Sequence, residues 1–170
     1  MKQDADTVIK FHTEMNNHEY YMKLALKEAK LAFKKGEIPV GCVIVRNGEV
    51  IAKGHNLRHT KKEVLAHAET IAIARANKKL GTWILDDCTM YVTLEPCTMC
   101  AGAILQARLK KLVFGAPEPK FGACGSVVNL LDNEKFNHQV EIESGILKEE
   151  SAELLKSFFQ IVRQNKKNLI

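Results

Sequence analysis

Residues 89–100, Thr-Met-Tyr-Val-Thr-Leu-Glu-Pro-Cys-Thr-Met-Cys, join a strand-like run to a helix-like one through a proline. Thr89 to Leu94 reads as a strand, and Ala101-Gly102-Ala103-Ile104-Leu105 as helix interior. Proline is favoured at the first helical position, so a helix is expected over 96–106. Cys97 and Cys100 then fall in its first turn, three residues apart and on one side. The helix dipole and the free amides at that end favour negative charge. Two thiols there are acidified and suited to grip a soft or borderline cation. Upstream, His67-Ala68-Glu69 offers His67 as the natural third ligand, because zinc accepts mixed sulfur and nitrogen donors. Three protein ligands leave a fourth position for water, the mark of a catalytic zinc rather than a structural one. Glu69 is then the carboxylate that moves protons.

The rest of the composition is compatible with this chemistry. A chain of 170 residues is expected to form one domain, and with 46% hydrophobic residues it can bury a full core. No apolar run approaches the roughly 20 residues that span a bilayer. The start, Met1-Lys2-Gln3-Asp4, lacks the apolar segment of a secretory signal, and a cytoplasmic location is expected. Five cysteines then point to metal or redox chemistry before disulfides. The formal charge of +5 is a mild bias. Its placement is more telling: no acidic residue follows Glu153, whereas Lys156, Arg163, Lys166 and Lys167 do. Taken alone, that tail reads as a solvated helix end whose cations suit the dipole.

Along the chain, 1–17 show no clear period and are expected to form a loose N-terminal extension, with Asn16 or Asn17 capping a helix over 18–35. Gly36 stops that helix. Residues 40–45 and 49–53 are strands joined at Asn47-Gly48, a strong hairpin turn signal. A polar loop follows through Lys62. The second helix is expected over about 66–79, with His67 and Glu69 both facing one site from its opening turn. Strands are expected over 89–94 and 111–115, both apolar throughout, as when helices cover both sheet faces. A loop with Pro117, Pro119 and Gly122 leads to a short helical piece at 126–131. Val140 and Ile142 alternate with glutamates as in an edge strand. The last helix carries Leu155, Phe158, Phe159 and Val162 on one face. This order implies an α/β domain, a three-layer α/β/α sandwich over 18–170.

A lone C-x-x-C has other readings: a redox pair, or half of a closed zinc site completed by Cys88, Cys124 or His55. The residues between the cysteines, Thr98 and Met99, do not resemble the redox context, and none of the other candidates sits in a second paired spacing. Cys42, Cys88 and Cys124 lie among apolar or small residues and read as buried, inert thiols.

H-x-E followed by P-C-x-x-C is the signature of the zinc deaminases. The likeness becomes narrower over Tyr91 to Ile104, over Val113-Phe-Gly-Ala116 with Lys120 and Gly122-Ala123, and at Pro39-Val-Gly41, Gly54-His-Asn56 and Phe158-Phe159. Over about 18–164 the chain resembles the bacterial tRNA-specific adenosine deaminases (TadA type) of the cytidine/deoxycytidylate deaminase superfamily.

That resemblance implies a cytidine-deaminase-like fold on a mixed five-stranded sheet, a homodimer, and one Zn²⁺ per subunit on His67, Cys97 and Cys100, with Glu69 as proton shuttle. It implies conversion of the wobble adenosine of an arginine tRNA anticodon stem-loop to inosine. Asn56 and the Ala68 amide would hold the adenine, and Pro39 and Val40 would wall the pocket. Glu118 stands where the family often has aspartate beside the tRNA loop, with Lys120 close by. Lys156, Arg163, Lys166 and Lys167 become candidates for the RNA backbone. A deaminase of a free base or nucleotide would share the same zinc chemistry, and a zinc-stabilised RNA-binding module would not need Glu69.

Overall fold

Asn47 and Gly48 both take positive φ, 50° and 79°, as a two-residue hairpin turn of the primed type requires. They fold β1 (Gly41–Arg46) back on β2 (Glu49–His55) in antiparallel register, with Cys42 opposite Gly54. The hairpin's inner strand pairs antiparallel with β3 (Cys88–Leu94), which runs parallel to β4 (Lys111–Ala116), and β4 runs parallel to β5 (Glu141–Ser144). The sheet is thus mixed and five-stranded, in the order β2-β1-β3-β4-β5, with β5 at an edge as its alternating sequence predicts. This is the computed structural model of the chain, described over residues 5–167.

The central strands are largely apolar because each face has its own cover. Cys42, Ile44, Met90, Val92, Leu112 and Phe114 pack in one cluster with residues of α3 (Ala68–Leu80) and α4 (Thr98–Gln106). Val43, Val45, Tyr91 and Val113 pack in a second with Met22 and Ala25 of α1 (Ala5–Lys34). The final helix, here α5 (Lys148–Lys167; α2 is given below), joins the α1 layer, where the Phe158 ring meets Phe33 edge-on at 5.6 Å. Phe158 is the buried member of the predicted apolar face; Phe159 is 41% exposed.

Two glycines set how closely helices sit on the hairpin. A Cβ at Gly41 would collide with the Ala25 carbonyl of α1, and one at Gly54 with the Ala68 carbonyl of α3. Gly54 therefore lets the first turn of α3 rest directly on the sheet, and that turn carries Glu69.

Four local expectations change. The helix expected over 18–35 begins at Ala5, so Asn16 and Asn17 lie inside it rather than capping it. No glycine or proline interrupts 5–34, and a helix packed over its second half propagates at one hydrogen bond per residue. The polar loop after β2 contains a single helical turn, α2 (Arg58–Lys61). The third predicted helix begins at Thr98, not Pro96, because the Pro96 carbonyl accepts the Ala123 amide at 2.9 Å and stays extended. Residues 126–131 form turns and a bridge rather than a helix, since the Ser126 amide goes to Glu95 and the Val127 amide to the Gly122 carbonyl. Among the described residues no helix is long and apolar enough to cross a membrane.

Candidate active site

His67 is the N-cap of α3 and Cys97 the N-cap of α4, both with extended backbone. Serine, threonine, aspartate or asparagine is the usual choice there, because such side chains bond the free amides of the first turn. Neither His67 nor Cys97 makes such a bond. Their side chains turn towards each other instead. His67 Nδ1 lies 3.8 Å from Cys97 Sγ and 3.5 Å from Cys100 Sγ, and the three donor atoms fall within 4.8 Å of one another. Cys100 is buried, and His67 and Cys97 are half-buried.

This donor set fits zinc. Bonds of ~2.3 Å to sulfur and ~2.0 Å to nitrogen give a tetrahedral sulfur–nitrogen edge of about 3.5 Å. Of the two nitrogen–sulfur separations, that to Cys100, 3.5 Å, matches it and that to Cys97, 3.8 Å, is slightly longer. Among the described residues no fourth His, Cys, Asp or Glu joins the group. Cys88 and Cys124 are buried thiols outside it, each pushed up to about 12, first by burial. The buried Cys42 thiol is raised as well, again chiefly by burial. His55 has both ring nitrogens engaged, Nδ1 with Glu28 at 2.8 Å and Nε2 with Lys35 at 3.0 Å. The closed four-ligand alternative therefore finds no support among its three candidates.

The two cysteines titrate as a pair. A hydrogen bond from Cys100 holds the Cys97 thiol down to about 4, aided by His67, while the same contact and burial push Cys100 well up. Glu69, 4% exposed in the first turn of α3, also contacts the Cys100 thiol. Burial raises its carboxyl to about 7. His67 and Glu69, two residues apart, thus both reach the cysteine pair from one helix start.

Two loops flank this cluster. On one side Asn56, 7% exposed, donates from Nδ2 to the Ile38 carbonyl at 3.2 Å and accepts the Arg58 amide on Oδ1 at 3.2 Å. The Asn56 amide bonds the Val40 carbonyl at 3.1 Å, so Pro39 and Val40, both buried, are tied to Asn56. One Nδ2 hydrogen and one Oδ1 lone pair of Asn56 are left uncommitted by these bonds. Ala68, the first residue of α3, is fully buried. On the other side Glu118 is half-buried and Lys120 exposed, the Lys120 amide donating to Glu118 Oε1 at 2.9 Å. Lys156, Arg163, Lys166 and Lys167 are exposed on α5, and Lys156, Arg163 and Lys167 share one side of it.

Two carboxylates to which residue type and spacing assign no role organise these loops. Glu37 is fully buried and accepts the His59 and Thr60 amides at 3.2 and 2.6 Å, capping α2 from outside. Glu95, 2% exposed, accepts three amides of the 118–126 segment. Burial alone would raise both groups, but their hydrogen bonds outweigh it and hold both below the usual carboxylate value. Their partners are backbone groups, which no residue type announces.

Comparison with known proteins gives this geometry a family. The model for the MafB19-like deaminases matches residues 16–163. A Bacillus subtilis (strain 168) protein named tRNA-specific adenosine deaminase is 54% identical over 153 residues, covering 90% of this chain and 95% of its own. An Aquifex aeolicus (strain VF5) protein of the same name is 48% identical over 147 residues, 86% of this chain and 97% of that one. A structure solved in a study of A-to-I editing by tRNA:A34 deaminases matches with a TM-score of 0.77 at 43% identity, over 79% of this chain and 98% of the other. A guanine deaminase from Nitrosomonas europaea, 24% identical with a TM-score of 0.70 over 82% of this chain and 83% of its own, shares the fold. With identity at this level running through nine-tenths of its length over a common sheet, the chain belongs to the family of bacterial tRNA-specific adenosine deaminases.

Proposed function

We propose that the chain deaminates adenosine to inosine at the wobble position of an arginine tRNA anticodon, with one zinc ion per subunit on His67, Cys97 and Cys100. The observation that carries this reading is the convergence of one imidazole and two thiols beside a buried carboxylate at two helix starts. The names of the 54% and 48% identical relatives supply the substrate class.

Zinc held by His67, Cys97 and Cys100 would supply an activated water, its pKa brought from ~16 towards ~7. The protein's own residues do the rest. Glu69 would pass one proton to the purine ring nitrogen and a second, released as the carbonyl forms, to the amine that leaves as ammonia. Its burial favours this role, because a desolvated carboxylate is a stronger base than an exposed one. Asn56 offers its uncommitted donor and acceptor to the adenine edge, and the Ala68 amide adds a donor at the start of α3. Pro39 and Val40 form the apolar wall. Glu118 and Lys120 meet the nucleotides that flank the base.

An anticodon loop suits this pocket because its unpaired bases splay out at modest cost. The exposed side of α5 with Lys156, Arg163 and Lys167, together with Lys166, holds phosphates. Residues 18–170 act as one deaminase domain preceded by the 1–17 extension, working as a homodimer on cytoplasmic tRNA.

The test is incubation of the purified chain with arginine tRNA, free adenosine, guanine and cytidine, with inosine located by sequencing. Inosine at the wobble position is expected. Turnover of small molecules alone would overturn the RNA reading in favour of a free-base or nucleotide deaminase.

A further inference from the structure

We propose that Glu95 is a positioning residue for the reaction: its buried carboxylate is the post around which residues 117–126 are wound, and it sets Glu118 and Lys120 against the start of α4. The inference rests on the function proposed above.

Four donors converge on this one side chain. Oε2 accepts the Glu118 amide at 3.0 Å and the Ser126 hydroxyl, and Oε1 accepts the amides of Cys124 and Ser126, each at 3.0 Å. Those bonds occupy the lone pairs a carboxylate offers, so it has none to spend on a substrate. Among the described residues no lysine or arginine pairs with it. Its charge is met by backbone dipoles and one hydroxyl, an anion nest built from the chain itself.

The loop closes tightly on this post. The Glu95 amide bonds the Ala116 carbonyl at 2.8 Å where the loop leaves β4, and the Ala123 amide returns to the Pro96 carbonyl at 2.9 Å. Gly122 bridges to Cys97 and passes so near that a Cβ there would lie 2.5 Å from the Glu95 carboxylate. Glu118 in turn holds the Lys120 amide at 2.9 Å. The bonds therefore run from Glu95, two residues before Cys97, to the backbone of both proposed substrate contacts. A neutral side chain of the same size fills the space but cannot accept from all four donors, so the loop's shape depends on the charge.

The test is a double-mutant cycle on the full, metal-loaded chain, reading metal per chain, kcat and KM for arginine tRNA. Glu95→Gln replaces one accepting oxygen with a carboxamide NH2 group, which donates and cannot accept an amide hydrogen. It is expected to keep its metal and to raise KM by about tenfold or more, with a smaller loss in kcat. Lys120→Ala should weaken the wild type but have little effect in the Glu95→Gln chain, because the loop is already displaced. Ser126→Ala, which removes one donor of four, should shift KM the same way by less and couple to Lys120→Ala. Independent, multiplying effects in the cycle, or no effect of Lys120→Ala in the wild type, overturn the proposal. If Glu95→Gln fails to fold, the Ser126→Ala and Lys120→Ala cycle decides by the same criterion. A wild-type chain inactive on tRNA but active on a free base sinks the functional reading instead, and the same cycle then reads the loop's hold on that base.

Discussion

His67 and Cys97 hold equivalent places in two helices, each an N-cap on a helix that packs on the sheet. Asn56 and Glu118 hold equivalent places in two loops, each beside a stretch whose amides converge on a buried carboxylate. The helix side draws its precision from hydrogen-bond ladders and from the close approach that Gly54 permits. The loop side has only the single turn of α2 and isolated bridges, to which the bonds to Glu37 and Glu95 are added. Metal donors need fixed separations, which a helix on a sheet supplies without further help. A loop lacks that regular support, and one buried carboxylate in each gathers its amides.

The contrast predicts the greatest losses on the helix side. Cys97→Ala should abolish metal binding and with it deamination, and full metal content by elemental analysis would contradict the ligand assignment. Glu69→Ala should keep its metal and its fold yet lose at least ~10²–10⁴-fold in turnover, the usual worth of a general acid–base group. Unchanged turnover in that variant would exclude Glu69 as the proton shuttle.

Next in size is the packing beneath the metal donors. Gly54→Ala drives a methyl into the Ala68 carbonyl and should cost about 1–3 kcal/mol in thermal unfolding, with weaker metal retention. A neutral outcome would mean that α3 is not braced on β2 as described.

On the loop side, Glu37→Gln should cost about 1 kcal/mol near neutral pH. Burial raises the Glu37 carboxyl, but the bonds from Thr60 and His59 outweigh this and leave it below the ordinary value. A lowered folded pKa means stability that is complete above the unfolded value of about 4.3 and is lost as pH falls through the lower, folded one. The gap in melting temperature between wild type and Glu37→Gln should therefore be constant above about pH 5 and narrow below it. A gap that widens on acidification would reverse the assigned role.

The smallest effect is expected furthest from both sides. Replacing Lys156, Arg163, Lys166 and Lys167 by alanine should flatten the dependence of tRNA affinity on salt, by about 0.7 in the log–log slope for each phosphate that is no longer neutralised. An unchanged slope would return those cations to a merely solvated helix end.

Much of this was legible in the chain. Asn47-Gly48 marked the hairpin because two positive φ angles in succession suit few other pairs. Apolar runs at 89–94 and 111–115 marked strands covered on both faces. The spacing of Cys97 and Cys100 marked a helix start. Less legible were the ends of elements. Pro96 looked like a first helical residue, and only its bond to Ala123 shows why the helix waits until Thr98. Residues 126–131 looked helical because nothing local says that their amides are taken by Glu95 and Gly122.

Residue type and spacing alone determined which side chains can bind a metal, which strands lie in the core and where the chain turns, because those properties belong to side chains and to φ and ψ at single positions. Tertiary structure decided that His67 meets two cysteines thirty and thirty-three residues away, that Glu69 lies buried against them, and that two glutamates hold the flanking loops. A backbone amide is the same in every residue but proline, so which carboxylate it finds depends on where the folded chain brings them together.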